Sequence, residues 1–210
     1  FPQGYLAKSF ELIRSVGGLC IADEVQVGFG RLGSKMWAFE EHGVIPDIVV
    51  MGKPIGNGHP MAAVFTTKEI ADSFKGMEFF STFGGNPVSC AIGMAVLDVI
   101  EEKNLIENSK VMGELFIDGL TKLKNRYEII GDIRGKGLFL GIELVKNRSS
   151  LEPAPKEAKL LVDGMLSKNI LLSIDGPKKN VIKIKPPMVI SKEDVDTTIK
   201  SLNEVFSDIE

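Results

Sequence analysis

Two side chains stand out for the chemistry that their positions allow, Lys53 and Asp23. Lys53 follows the apolar, strand-like run Asp47-Ile48-Val49-Val50-Met51 and is flanked by Gly52, Pro54, Gly56 and Gly58. Burying an ammonium at the carboxyl end of a sheet is costly unless the charge is paired or neutralised. Desolvation turns such an amine into a nucleophile able to form a Schiff base. The alternative is a lysine whose stem follows the strand while its head reaches water. Asp23 ends the preceding apolar run, Leu19-Cys20-Ile21-Ala22. Both residues would then lie at one edge of the sheet, where open α/β sheets bind ligands. A carboxylate facing a lysine across a planar ring suits pyridoxal phosphate (PLP), because it keeps the pyridine nitrogen protonated and the ring electron-accepting. The plainer reading of Asp23 is a turn or capping aspartate.

Between the two lies Gly28-Phe29-Gly30-Arg31-Leu32-Gly33, which has the GxGxxG form of dinucleotide-binding loops. Its context is wrong. Asp23 to Gln26 separate the glycines from the strand, and the segment that follows is a poor amphipathic helix. Gly52-Lys53-Pro54-Ile55-Gly56-Asn57-Gly58 lacks the Gly-Lys-Ser/Thr order of a phosphate-binding P-loop. Of the two histidines, His42 reads as a solvated loop residue, and His59 is placed close enough to the lysine loop to touch a site there.

The elements that must position these residues alternate. A helix over 6–16, with Leu6, Phe10, Ile13 and Val16 on one face, precedes the first strand. A short helical patch spans Trp37 to Glu41, Asp47–Met51 is the second strand, and Met61–Thr66 runs back beside it. This order predicts an α/β layer. Asn86-Pro87 reads as an N-cap with proline at the first helical position. The helix it opens, Val88 to Ile100, is apolar nearly all round and is expected to be buried. After Glu101-Glu102-Lys103-Asn104 the pattern becomes α+β, which predicts two domains, 1–104 and 105–210. A long amphipathic helix runs from Ile106 to Tyr127, and Leu138, Leu140, Ile142 and Leu144 alternate as one face of a strand. A helix near 156–168, two strands flanking the Gly176-Pro177 turn and a final helix begun by Ser191 and Asp194 complete the chain.

Composition excludes several classes of function. With 44% hydrophobic positions over 210 residues a sizeable core is possible. A net charge of -3 with scattered lysines and arginines gives no footprint for nucleic acid or for an anionic membrane. The longest apolar helix candidate is too short to cross a bilayer. Cys20 and Cys90 sit in apolar segments without CxxC spacing, which predicts two reduced, buried thiols in the cytoplasm and no metal site. Phe1-Pro2-Gln3-Gly4 shows neither a secretory leader nor an initiating methionine, so a longer parent protein is expected.

At four blocks a resemblance becomes specific. Ile21-Ala22-Asp23-Glu24-Val25-Gln26-Val27-Gly28-Phe29-Gly30-Arg31 closely resembles the DEVQxGFGR block of the class-III PLP-dependent aminotransferases. Pro46-Asp47-Ile48 and Met51 to Gly58 resemble their Schiff-base lysine block. Ser81-Thr82-Phe83-Gly84-Gly85-Asn86-Pro87 and Arg134-Gly135-Lys136-Gly137-Leu138 resemble two further signatures, and the similarity covers essentially the whole chain. The resemblance implies part of the fold-type I PLP-transferase large domain, with a mixed, mostly parallel sheet, followed by a small α+β domain. Lys53 would hold the cofactor and move the substrate proton, and Asp23 would pair with the pyridine nitrogen. Val25 would pack on the ring face, and Gln26 would bond its hydroxyl. Thr82 would reach the cofactor phosphate of a neighbouring subunit, implying a homodimer with a shared site. Arg134, on a glycine-flanked loop, would bind the substrate carboxylate through a two-pronged contact.

The implied activity moves an amino group between an amine or amino acid and a 2-oxo acid. His59-Pro60 is similar to the branch that holds alanine–glyoxylate-type aminotransferases and phospholyases of phospho-amines, so a PLP-dependent phospho-lyase is the alternative. A catalytically silent fragment is a third reading. Family members carry an N-terminal half with the phosphate-binding loop and the ring-stacking aromatic, for which this sequence shows no counterpart. The chain alone is therefore expected to bind PLP poorly.

Overall fold

The computed structural model describes residues 1–209. The chain divides into two compact units, one of Phe1–Gly30 with Ser34–Ile106, the other of Arg31–Gly33 with Glu107 onward.

In the first unit, helix α1 (Tyr5–Ser15) leads into a three-stranded sheet ordered β1 (Ile21–Asp23), β2 (Ile48–Met51), β3 (Ala63–Thr66). Strand β2 is the β-branched run Ile48-Val49-Val50 and holds the centre. It pairs parallel with β1, Ile21 to Ile48 and Asp23 to Val50, and antiparallel with β3, Met51 to Ala63. Asp47 fixes where the two parallel strands begin. One carboxylate oxygen accepts from the Cys20 amide at 2.7 Å and the other from Arg14 Nη2 at 2.9 Å. The Cys20 amide first, then the Arg14 guanidinium, hold the Asp47 carboxyl below the usual carboxylate range.

Helices α2 (Lys68–Ser73) and α3 (Pro87–Glu102) follow, and α3 starts as the sequence predicts. Asn86 Oδ1 accepts from the Ser89 amide at 2.9 Å, and Pro87 occupies the first turn. Two expectations of burial fail here, and one predicted apolar face, on a helix that does form, stands open. Helix α3 buries only Gly93 and Ile100, leaving Val88, Met94, Leu97 and Val99 exposed. On α1 no residue is buried, and Ile13 and Val16 of the predicted face are exposed. Cys90, on α3, is exposed as well, while Cys20 is buried. The cause is common to all three: this unit presents more apolar face than its own described residues cover.

The second unit has an antiparallel sheet ordered β4 (Ile130–Lys136), β5 (Phe139–Leu144), β7 (Val181–Ile184), β6 (Ser173–Asp175). On β5 the period-two pattern of the sequence is the pattern of burial, with Leu140, Ile142 and Leu144 inward. They join Phe116 and Leu120 of α4 (Leu105–Arg126), Leu161 and Met165 of α5 (Pro155–Ser167), and Leu202 and Phe206 of α6 (Lys192–Ile209) in one core. Helix α6 opens on a reciprocal cap. Asp194 Oδ2 accepts from the Ser191 amide at 3.0 Å, and Ser191 Oγ accepts from the Asp194 amide at 3.2 Å. No helix among the described residues is long and apolar enough to cross a membrane.

Candidate functional site at the carboxyl edge of the first sheet

Strands β1 and β2 run the same way, so Asp23 and Lys53 both leave the sheet at its carboxyl edge. Asp23 is paired in register with Val50, and the Glu24 amide extends the ladder to the Val50 carbonyl at 2.9 Å. Asp23 is exposed, and its Oδ1 accepts from the Val25 amide at 3.0 Å, forming the tight turn after the strand. Val25 continues that turn and packs beside Gly52, where a Cβ would lie 3.5 Å from both valine methyls. Gln26 is exposed on the same turn. Asp23, Val25 and the Gly52–Lys53 step are thus gathered at one place.

Lys53 begins a 3₁₀ turn, Lys53–Gly56, directly after β2. Its φ is +37°, in the left-handed region, as is that of Asn57 at +43°. A non-glycine residue pays for this conformation through contact between Cβ and the following carbonyl, about 1–2 kcal/mol. Such residues persist only where their surroundings over-determine them, and they concentrate at functional sites.

The expected burial of the Lys53 ammonium is corrected: the side chain is exposed. The turn drives Ile55 and Gly56 inward and leaves Lys53 and Asn57 outward. Placement and backbone strain therefore distinguish Lys53 in this chain, and desolvation does not.

Sequence reasoning passed over Glu24, the neighbour of Asp23. It is 2% exposed, and its two carboxylate oxygens accept from the Ala38 amide at 2.9 Å and the Phe39 amide at 3.0 Å. Glu24 thus caps the 3₁₀ turn Ala38–His42 and ties the segment beyond the glycine loop to the end of β1. His59, two residues after Asn57, bonds Ser89 Oγ on α3 through its Nε2 at 2.7 Å.

Thr82 is exposed on the loop leading to α3, where the side chain of its neighbour Ser81 accepts from the Gly84 amide at 3.0 Å. Arg134 belongs to the second unit. The expectation of a loop there is corrected, because Arg134 lies inside β4, paired with Gly141. Gly135, with φ +130°, lets β4 continue past it, since a Cβ would stand 2.2 Å from the Phe139 carbonyl oxygen. Arg134 Nη1 is held by Asp132 at 2.9 Å and Glu143 at 2.5 Å.

Arg31 also acts in the second unit. Its Nη1 donates to the Leu138 and Pro186 carbonyls at 3.2 and 2.8 Å, its own carbonyl accepts from the Leu138 amide at 3.0 Å, and burial pulls its guanidinium below the usual arginine range. A groove of about 580 Å³ in this unit, lined by Lys168, Lys183, Pro187 and Asp194 among others, contains none of the predicted site residues.

Residues 1–206 match the model of the class-III aminotransferase family. An alanine–glyoxylate aminotransferase 2-like protein of Drosophila melanogaster is 50% identical, over 98% of this chain and 42% of its own length. Mitochondrial alanine–glyoxylate aminotransferase 2 of Homo sapiens is 49% identical, over 95% of this chain and 39% of its own. Among solved structures, a phospholyase from Arthrobacter in complex with phosphoethanolamine superposes with a TM-score of 0.95 at 41% identity, covering 99% of this chain and 49% of that one. The fold is therefore that of the fold-type I PLP-dependent transferases, and the chain spans less than half the length of each of these relatives. The chain belongs to the class-III aminotransferases, a family that depends on pyridoxal phosphate.

Proposed function

We propose that this chain carries the lysine-bearing part of the PLP site of an aminotransferase, which moves an amino group between an amine or amino acid and a 2-oxo acid. The observation that carries the reading is Lys53, strained into the left-handed region at the end of the central strand, beside Val25 and at the edge that Asp23 shares.

The residues fit the cofactor. The Lys53 amine makes no hydrogen bond or ion pair among the described residues, and Asp23 spends only Oδ1 on the Val25 amide, leaving Oδ2 for a protonated ring nitrogen. When bound, PLP supplies an aldehyde for the amine and a ring that accepts electrons from the substrate. Lys53 would hold the cofactor and then carry the proton at the substrate Cα. Asp23 would keep the ring nitrogen protonated, Val25 would limit the ring's tilt, and Gln26 would bond its hydroxyl. Thr82 would serve the phosphate of a neighbouring subunit. A homodimer is supported by the exposed Phe79, Phe80 and Phe83 around it, an apolar surface that association would cover. Arg134 would bind the substrate carboxylate by exchanging it for Asp132 or Glu143, a small cost because both pairs are half-solvated. Residence in the cytoplasm and a boundary at residue 104 complete the proposal.

The second reading, a phospho-lyase, is favoured by the likeness to the Arthrobacter structure. Acceptor dependence separates the two. The protein, expressed with any coding sequence that precedes this chain, is expected to consume amino donor only when a 2-oxo acid is supplied. Release of ammonia and phosphate from phosphoethanolamine without an acceptor would replace the aminotransferase reading by the lyase.

A further inference from the structure

The strained Lys53 turn is not held by its own hydrogen bonds alone. Within it, the Ile55, Asn57 and His59 amides bond the Gly52, Pro54 and Gly56 carbonyls at 3.0 to 3.1 Å, short-range contacts that a relaxed turn could also make. Besides Val25 against Gly52, two contacts reach this segment from α3. Met61 packs on Gly93, where a Cβ would stand 2.9 Å from the Met61 Cε and would press that flexible tip aside. His59 Nε2 meets Ser89 Oγ at 2.7 Å.

The second contact is directional. Asn86 Oδ1 accepts from the Ser89 amide, which fixes the orientation of the Asn86 side chain and turns its Nδ2 to donate to Ser89 Oγ at 2.9 Å. The serine hydroxyl, held by Asn86 through one lone pair, keeps a proton to donate and a second lone pair to accept with, so it bonds His59 Nε2 in either tautomer of the imidazole. The cap of α3 therefore orients Ser89, and Ser89 orients His59.

We infer that His59, clamped by Ser89, is a positioning residue that keeps Lys53 in its left-handed conformation and so presents its amine for bonding to the cofactor. The inference rests on the reading of Lys53 as the cofactor-bearing residue. Without the clamp the turn would relax toward ordinary dihedrals and the amine would spend less time presented.

The test uses the protein expressed with any coding sequence that precedes this chain, and two readouts: amide hydrogen exchange across residues 52–61 without cofactor, and borohydride trapping of PLP at Lys53. His59→Ala leaves the α3 cap intact, and Ser89→Ala leaves the Ser89 amide to cap it. Each is expected to speed exchange of the turn and to reduce trapping at Lys53 by about 3- to 10-fold, the worth of one such hydrogen bond. The double variant is expected to do no more than either single, because both remove the same contact. Ser89→Thr, which keeps the hydroxyl, is expected to restore both readouts. Exchange and trapping at parental levels in both single variants, or additive effects in the double, would overturn the clamp. Should the parent chain trap PLP at some other lysine, the Schiff-base reading falls, and the exchange data still judge the clamp.

Discussion

Gly137→Ala is expected to destabilise the second unit by about 3 kcal/mol or more, the sum of left-handed strain and a backbone collision. Gly137 has φ +53°, and an added Cβ would lie 2.5 Å from both the Arg31 carbonyl oxygen and the Leu32 carbonyl carbon. Neither atom is the flexible end of a side chain, so the β4–β5 hairpin or the Arg31–Gly33 segment would have to move. Movement there strains the Leu138-to-Arg31 backbone bond and the Arg31 contacts to Leu138 and Pro186. It also meets α4, because Gly113 approaches so closely that its own Cβ would stand 2.3 Å from the Gly137 oxygen. A domain has only about 5–15 kcal/mol in total, so the loss should show as a clear fall in the denaturant midpoint. Gly43→Ala is the control: its φ is +63° but nothing lies within 4 Å, so strain alone, about 1 kcal/mol, is expected. Equal losses in the two variants would mean that the close approach at Gly137 is not real.

Asp23→Asn carries the largest expected effect on chemistry. Asparagine keeps an oxygen to accept from the Val25 amide, so the turn and the stability should be preserved to within about 0.5 kcal/mol. What disappears is the negative charge at the edge shared with Lys53. A preorganised charge aimed at the reacting group is worth on the order of 100- to 1,000-fold in rate, and amino transfer by the protein is expected to fall by that much. Transfer at the parental rate would remove Asp23 from the cofactor's ring nitrogen.

What could be read from the sequence was local. The alternation from Leu138 to Leu144 gave the inner face of β5, because side chains of a strand must alternate. Asn86-Pro87 and Ser191-x-x-Asp194 marked helix starts, because their caps are made within three residues. The shared edge of Asp23 and Lys53 was legible for the same reason: apolar strand runs stop just before them.

Non-local partnership was not legible. An apolar helix such as α3 announces a buried face, but sequence cannot say whether the chain supplies the surface to bury it. Arg134 looked like a loop residue because glycines surround it, whereas Gly135 serves the close pairing of a hairpin. Glu24 and Arg31 lay inside a motif already singled out, yet their partners are 14 and 107 residues away. The burial expected for Lys53 followed from treating the strand end as enclosed, while the turn after it points the side chain outward. Nothing in the residue order of 52–58 distinguishes a turn that hides its lysine from one that displays it.

The most direct test of the central claim is where PLP attaches. The protein is mixed with PLP, reduced with borohydride, digested, and the modified lysine is located by mass spectrometry. The peptide containing Lys53 is expected to carry the label, and Lys53→Ala to remove it. Label spread evenly over surface lysines such as Lys68 and Lys122, or unchanged in Lys53→Ala, would contradict it.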